Sequence, residues 1–494
     1  MNKPVNNDET TLARMGYPQE LSRSFSALAN FSLSFSIICI LAGGITSFHL
    51  GYCAIGPAAI GIGWPVAVLF SLAVAANMAQ IASAFPTAGG LYHWGALLGG
   101  RGFGWFTAWF NLAGLVTVLA AINVGSWRFL VSSVLQGEDP GEFAQLVAVA
   151  LITLLQLIIN LAGGKWVGPL TTFSGFWITG VTVVLVIALL AYGGPVHPER
   201  LMHWENFSGL PGPTNSIWPA SESLVWLFFF ALLLPAYTIT GFDGSAHASE
   251  ETHDAARTVP RAILRAVLLS GLAGWILLGA AVLAIDDTRA IALQGERAFV
   301  AILEESLPGW ALHRFFLMIF LAQFLCGMAT VTSASRMAYA FARDGGLPFS
   351  SWLRQVTKKT QVPANSLVAV CLLSVLFTFY SPVYSTIAAA CTILLYLSYV
   401  LPTLAGLVGH GRWWTVMGPW HLGPFFKPLG FLSVLGSLLL LGVGIQPPAE
   451  KAGFVVAGFT AILIIFWWCY YRSRFAGPPV DLKTLQEKPH GDAQ

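Results

Sequence analysis

Two short stretches of this 494-residue chain place helix-breaking and polar residues where the surrounding sequence is almost wholly apolar. The first reads Gly43-Gly44-Ile45-Thr46-Ser47 within the apolar run 28–58. The second reads Pro235-Ala-Tyr237-Thr238-Ile-Thr240-Gly241-Phe242-Asp243-Gly244-Ser245 within the run 223–249. Breaks of this kind release backbone N–H and C=O groups, which at bilayer depth are tolerated only where protein or a water-filled cavity satisfies them. A half-helix N-terminus attracts a carboxylate and a half-helix C-terminus attracts an ammonium, so two facing breaks can grip a zwitterion with backbone alone. The chemistry on offer is recognition, with no bond made or broken.

Each feature also has a plainer reading. A single Gly-Gly pair serves equally for close helix packing, whereas two breaks about 200 residues apart, at corresponding places in two halves of a chain, point to a binding site. Asp243 would cost about 2.5–3.5 kcal/mol at a lipid-facing helix centre, so it must face a cavity or a partner. It is a substrate-amine or proton site, or else it caps the second half-helix. Thr330, Thr332, Ser333 and Ser335 cluster in the eighth apolar run. Their hydroxyls either bond their own helix or join carbonyls of the first run around a hard cation, with Thr332 and Ser333 the sodium candidates. Glu250 and Glu251 are solvated helix-end charges or partners for basic residues of another loop. His49 and Asn111 line a pathway or are ordinary hydrogen-bonded core residues. No Ser-His-Asp order, H-E-x-x-H, Walker loop or Gly-rich dinucleotide turn is present. The chain is therefore expected not to be an enzyme and to need no cofactor or metal beyond a coupling H+ or Na+.

The elements that must position these residues follow from composition. Apolar residues make up 56% of the chain and charged residues 10%, against roughly 25% charged in a soluble domain. The apolar runs approach the roughly 20 residues needed to cross a hydrocarbon core, and 146–155, 182–192 and 454–468 are apolar around the whole helix. The alternating pattern of a membrane barrel is missing. The expected fold is an all-α polytopic membrane protein with twelve spans near 28–58, 63–84, 103–133, 143–162, 169–193, 223–249, 261–285, 312–341, 365–381, 384–408, 429–446 and 452–471. Spans 1 and 6 are expected to be discontinuous. The six cysteines lie in or beside apolar runs and read as small packing residues. Residues 1–21 are polar and carry no signal-peptide core. A net charge of +2 without a basic stripe gives no reason to expect nucleic acid; the expected partners are a small-molecule substrate and membrane lipid. Only Arg128, Arg200, Arg289, Arg297, Arg314 and Lys451 fall on one side of such a topology, and the other nineteen of 25 basic residues on the opposite side. That excess sets both termini in the cytoplasm. The loops 194–222 and 286–311 are then extracellular, with Trp204, Trp218 and Trp310 as interfacial aromatics and a short surface helix around 296–306. The chain divides into a tail (1–27), a first five-helix repeat (28–193), an extracellular loop (194–222), a second repeat (223–408), two further helices (409–471) and a second tail (472–494).

Several short motifs add to this. They are Tyr17-Pro-Gln-Glu-Leu before span 1, Gly43-Gly-Ile, Phe85-Pro-Thr-Ala-Gly-Gly-Leu-Tyr after span 2, Gly241-Phe-Asp with Ser249-Glu-Glu-Thr, and Ser335-Arg through Arg343-Asp-Gly-Gly-Leu-Pro. Together, over nearly the whole chain, they resemble the amino acid–polyamine–organocation superfamily of permeases, and within it the branch that carries amino acids, 4-aminobutyrate and choline. The resemblance implies a LeuT-like five-plus-five inverted repeat with two extra helices. It implies a secondary active transporter of amino acids or related small amines in the plasma membrane (the inner membrane of a bacterium), working by alternating access with ion coupling or exchange. By the same resemblance Gly43, Gly44, Ile45 and Thr46 meet a substrate carboxylate, carbonyls near Tyr237 to Thr240 meet its amine, and Gly241, Phe242 and Asp243 complete the site, with Tyr237 as an aromatic lid. Some proton-coupled relatives carry a lysine on span 5; here the span from Leu170 to Tyr192 has none. An organocation carrier for choline or polyamines is the alternative, and a channel, a receptor or a membrane-embedded enzyme are the classes outside transport.

Overall fold

The computed structural model describes residues 7–134, 140–212, 215–380, 384–447 and 450–487. Among these the chain is helical, with two isolated β-bridges and no strand. Helices suit an apolar solvent because each satisfies its own backbone groups.

Helix α1 (Asn7–Arg14) lies in the first tail. The first break separates α2 (Ala27–Ile38) from α3 (Gly43–Thr46) and α4 (Phe48–Ile55). Next come α5 (Trp64–Ala84), α6 (Leu91–Gly99), α7 (Arg101–Val134), α8 (Glu142–Leu161) and α9 (Gly164–Tyr192). The second break lies between α10 (Leu224–Ala231) with α11 (Leu233–Thr238) and α12 (Gly244–His247). Beyond it are α13 (Ala255–Leu283), α14 (Thr288–Ala292), α15 (Ala298–Ser306), α16 (Gly309–Arg343), α17 (Ser350–Leu353), α18 (Ala364–Tyr380) and α19 (Tyr384–Gly409). The chain ends in α20 (Phe426–Gly444), α21 (Glu450–Phe466), α22 (Arg472–Arg474) and α23 (Leu482–Glu487).

Among the described residues, ten stretches are long and apolar enough to cross a bilayer, and two shorter apolar helices, Leu224–Thr238 and Ala364–Phe379, accompany them. Burial sorts them into an inner and an outer set. The stretch Ala27–Thr46 buries 89% of its most apolar window and Arg101–Val134 buries 83%, whereas Glu142–Leu161 buries 28% and Glu450–Arg474 only 17%. Leu151, Leu154, Leu155 and Ile158 of α8 and Phe431, Leu435 and Leu438 of α20 are exposed. In a membrane such faces meet hydrocarbon, so apolar burial does not hold the inner helices together; close approach and polar contacts must. Helix α7 packs along both α16 and α19, with Gly114 against Leu395 and Gly125 against Gln323.

Three features differ from expectation. Helix α6 occupies a stretch the apolar pattern leaves as a loop; it is too short to span and instead lies buried beside α7 through Leu91, Tyr92, Trp94 and Leu98. The helix expected near 296–306 is present as α15, but it is not a surface element, because Phe299, Ile302 and Leu303 are buried and Phe299 packs edge-on against Phe48 of α4. Trp204 and Trp310 are exposed, whereas Trp218 is buried, stacked 4.4 Å from the Phe230 ring, and donates its indole N–H to the Leu50 carbonyl. That loop is pinned onto α4. Five of the six cysteines are buried as packing residues; Cys469 is exposed. The two tails meet at one end of the bundle, where a methyl on Gly16 would fall 2.8 Å from the Pro479 ring.

Candidate functional site

Helix α2 stops at Ile38 because Cys39 leaves the helical region (φ 15°, ψ 89°). The Ala42 and Gly43 N–H groups both turn back to the Cys39 carbonyl, at 2.8 and 3.0 Å. Among the described residues, the N–H groups of Gly44 and Ile45 take no backbone acceptor. On the other side α11 ends where hydroxyls compete for its carbonyls: Thr238 Oγ1 donates to Leu234 O and Thr240 Oγ1 to Tyr237 O, each at 2.8 Å. The chain then needs a left-handed residue, Gly241 at φ 83°. Here glycine is required twice over, since a Cβ would also fall 2.2 Å from Ile37 Cγ2.

The two breaks touch. A Cβ on Gly43 would lie 2.9 Å from Thr238 Cα, and Ser47 Oγ, which donates to the Gly43 carbonyl, sits 3.4 Å from Thr238 Oγ1. Gly43, Gly44, Ile45, Tyr237, Thr240, Gly241, Phe242 and Asp243 are all buried, and Thr46 is partly so with its hydroxyl on the Ala42 carbonyl.

Asp243 does not cap α12 with its side chain. Its carboxylate reaches across the bundle, taking Asn111 Nδ2–H of α7 on Oδ2 (2.8 Å) and the Tyr399 hydroxyl of α19 on Oδ1 (2.8 Å), with His247 Nε2 3.2 Å from Oδ2. The Gly241 N–H donates to the same Tyr399 oxygen at 3.0 Å, and the Phe242 ring lies 4.9 Å from the Tyr399 ring. All four polar residues are fully buried. Sequence reasoning reached Asp243 and Asn111 but neither Tyr399 nor His247. The four-residue spacing of Asp243 and His247, one helical turn, was the signal available.

Gln323 of α16 was also missed. It is fully buried beside Gly125 and Thr46, and among the described residues neither of its amide atoms has a hydrogen-bond partner. His49 Nδ1 is in the same condition. The sodium candidates part company: Thr332 Oγ1 contacts Asn160 Oδ1 of α8 (2.7 Å), away from the breaks, while Ser333 Oγ is close to Gly244.

The tail-bearing end is shut by ion pairs. Glu251 takes Arg336 Nε and Nη2 at 2.6 and 3.2 Å, and Glu250 takes both Arg343 terminal nitrogens at 2.8 and 3.0 Å together with the Ala88 N–H at 3.1 Å. Both acids are buried, so they are not solvated helix-end charges, and their partners stand on α16, not on a loop. Burial pushes the Glu250 carboxyl up, but the Arg343 guanidinium and the Ala88 N–H outweigh it and hold the group below the usual carboxylate range. The segment 17–25 straps across this end. Tyr17 donates to Asp344 (2.7 Å), with the Arg343 guanidinium 3.8 Å above its ring; Gln19 donates to the Glu250 carbonyl (2.8 Å); Phe25 N–H donates to the Glu251 carbonyl (2.8 Å). Burial, reinforced by Asp344, pushes the Tyr17 phenol well up, so it stays a proton donor.

Comparison with known proteins agrees with this architecture. Residues 25–470 match the amino acid permease family. The chain is 30% identical to the amino-acid permease BAT1 of Arabidopsis thaliana, over 96% of each chain, and 31% identical to its homolog in Oryza sativa subsp. japonica, over 95% of each. It is 28% identical to the GABA-specific permease of Saccharomyces cerevisiae, over 96% of this chain and 86% of that one. With the motif-bearing segments gathered at two touching helix breaks and one strapped end, and with a match running from Phe25 to Tyr470, the chain belongs to the amino acid permease family.

Proposed function

We propose that the chain is a secondary active transporter that moves an amino acid or a related small amine such as 4-aminobutyrate across the plasma membrane by alternating access. Counting the two shorter apolar helices with the ten long ones gives twelve spans, arranged as two inverted five-helix repeats plus two, with both tails cytoplasmic. The observation that carries the reading is the contact between the breaks at Gly43 and Thr238, where backbone groups of two interrupted helices converge inside the inner helix set.

In this reading the Gly44 and Ile45 N–H groups hold a substrate carboxylate beside Thr46, and backbone carbonyls around Tyr237 and Thr240 take the amine. The Tyr237 carbonyl already accepts the Thr240 hydroxyl and would share its second lone pair. The unpaired Gln323 amide offers a donor and an acceptor to the substrate's polar end, which would offset the roughly 1–3 kcal/mol cost of leaving such groups unmet. Gly241, Phe242 and Asp243 shape the floor. The pairs Glu250–Arg343 and Glu251–Arg336 form the cytoplasmic gate in its closed position. The GABA-specific yeast relative supports a zwitterionic or amine cargo.

Counterflow in proteoliposomes tests this. Vesicles loaded with unlabelled 4-aminobutyrate, an α-amino acid mixture or choline are given the labelled counterpart outside, and transient accumulation of one amine-bearing solute is the expected result. A labelled solute that merely equilibrates marks a channel, and no movement of any of them refutes the cargo class. Calorimetry with an amino acid and its amide tests the carboxylate grip; equal affinity for both removes it.

A further inference from the structure

Both ring nitrogens of His247 face oxygen acceptors. Nε2 lies 3.2 Å from Asp243 Oδ2, and Nδ1 lies 3.2 Å from the Ala88 carbonyl. A carbonyl only accepts, and a carboxylate only accepts until it is protonated. The neighbours give no relief. Asn111 Nδ2 donates, and the Tyr399 oxygen already receives the Gly241 N–H, so its own proton points to Asp243 Oδ1. A carboxylate beside a neutral imidazole therefore leaves one nitrogen lone pair aimed at an oxygen lone pair, either at Asp243 or at Ala88. One added proton removes the conflict. It makes an imidazolium that donates in both directions, or a carboxylic acid that donates to Nε2 while Nδ1–H donates to Ala88; these are two placements of the same proton.

The second buried histidine–acid pair shows that burial beside an acid does not by itself create this condition. His93 Nε2 lies 3.2 Å from Asp344 Oδ2, but its Nδ1 meets the Thr87 hydroxyl, which can donate. Neutral His93 satisfies both contacts.

The surroundings of the Asp243–His247 pair are otherwise uncharged or compensated. From α7 it meets Asn111, from α19 Tyr399, with Ser398 on Asn111 and Tyr396 behind Tyr399. From the 85–90 segment it meets backbone. Ser34 of α2 and Ser333 of α16 stand beside Ser245 and Gly244. The nearest acids along the chain, Glu250 and Glu251, are matched by Arg343 and Arg336. Ala88 is held twice by this short segment, its carbonyl by His247 and its N–H by Glu250 Oε1.

Building on the transporter reading, we propose that Asp243 and His247 form a single-proton site whose occupancy latches the 85–90 segment onto α12 and keeps the tail-bearing end shut. When the proton leaves, one ring nitrogen loses its donor, the His247–Ala88 contact or the His247–Asp243 contact turns repulsive, and the end is released to open. H+ is then the ion that travels with the cargo, binding while the tail-bearing end is closed and leaving as it opens.

One experiment requires no cargo. Ala340 is fully buried and clusters with Ala88, Leu21 and Tyr339, so Ala340→Cys in a Cys469→Ser background reports opening by its reaction with a water-soluble maleimide. The rate is normalised at each pH to that of the same protein unfolded. Between about pH 5.5 and about pH 8, labelling should rise on the order of tenfold as one charge-assisted hydrogen bond is lost. Adding His247→Gln or Asp243→Asn should flatten that profile, and His93→Gln should leave it intact. A flat profile without these changes, or a steep one with His247→Gln, overturns the proposal. In proteoliposomes carrying labelled 4-aminobutyrate, His247→Gln should lose accumulation driven by an acid exterior yet keep one-for-one exchange; accumulation equal to the unaltered protein's also overturns it. If the unaltered protein does not exchange 4-aminobutyrate, that cargo is wrong, and the thiol result alone decides the proton site.

Discussion

Gly44 and Gly241 stand at matching breaks, yet an added methyl would meet different surroundings. At Gly44 the nearest atoms lie 3.8 Å from a Cβ, an ordinary contact; at Gly241 the backbone is left-handed and Ile37 lies 2.2 Å away. Gly44→Ala is expected to leave the melting temperature unchanged, while Gly241→Ala should cost about 1–3 kcal/mol in an equilibrium unfolding measurement. Gly44→Leu should fold but lose binding, because the longer side chain enters the space between the breaks; undiminished affinity in calorimetry places the substrate elsewhere. Asp243→Asn keeps the size and outline of the side chain, removes the charge and leaves one acceptor oxygen where Asn111 and Tyr399 each donate. It should insert and fold while transport falls, and normal uptake with an unchanged pH profile would free Asp243 of both a substrate and a proton role. Asp243 and Asn111 were legible in the sequence because polar side chains are costly in an apolar run. Tyr399 was not, since an aromatic in such a run reads as packing until its hydroxyl is seen on a carboxylate 156 positions away.

Among elements, α16 carries the closure through Arg336 and Arg343, two turns apart on one face. Removing one partner of a buried pair strands the other charge, at a cost of about 3–5 kcal/mol. Arg336→Met should therefore destabilise the fold by about that amount, and adding Glu251→Gln should restore much of it. A double-mutant cycle by chemical denaturation measures the difference, and a double variant no better than the single shows that the pair is not what matters there. Glu250 responds to pH in a defined direction. Its carboxyl is held low in the folded protein, so its stabilising contribution is complete above the unfolded carboxylate value, about 4.3, and is lost as pH falls through the lower folded value. The Glu250–Arg343 pair should thus be insensitive across the neutral range. The long apolar helices were legible from apolar length, and the places where α2 and α11 end from Gly-Gly and Gly-Phe-Asp. The motifs Tyr17-Pro-Gln-Glu-Leu and Phe85-Pro-Thr-Ala-Gly-Gly were visible as motifs but not as devices. What they do depends on partners on α12 and α16, which only the packed bundle brings near. Helix α6 escaped because nine residues are too few to span a bilayer, and its one terminal signal, Gly100 at the C-cap, reads equally as a loop glycine.

For the whole molecule, the basic-residue imbalance and the meeting of the two tails at one end make a single topological prediction. In right-side-out vesicles, a cysteine at Ser208 should react with an impermeant thiol reagent and one at Ser473 should not; the reverse pattern inverts the protein in the membrane. The strap of residues 17–25 has a further consequence, one of timing. Tyr17 meets Asp344 across 327 positions of chain, and Tyr339 meets Glu20 across 319. The ribosome completes the strap long before its seat exists, so a segment made among the first is locked among the last. Its contacts with Glu250 and Glu251 can form once those residues are made, but its contacts with Asp344 and Tyr339, and the ion pairs of this end, cannot form until α16 has arrived. A chain released before α16 can therefore seat its strap on Glu250 and Glu251 but has neither Arg336, Arg343 nor Asp344 to lock it there.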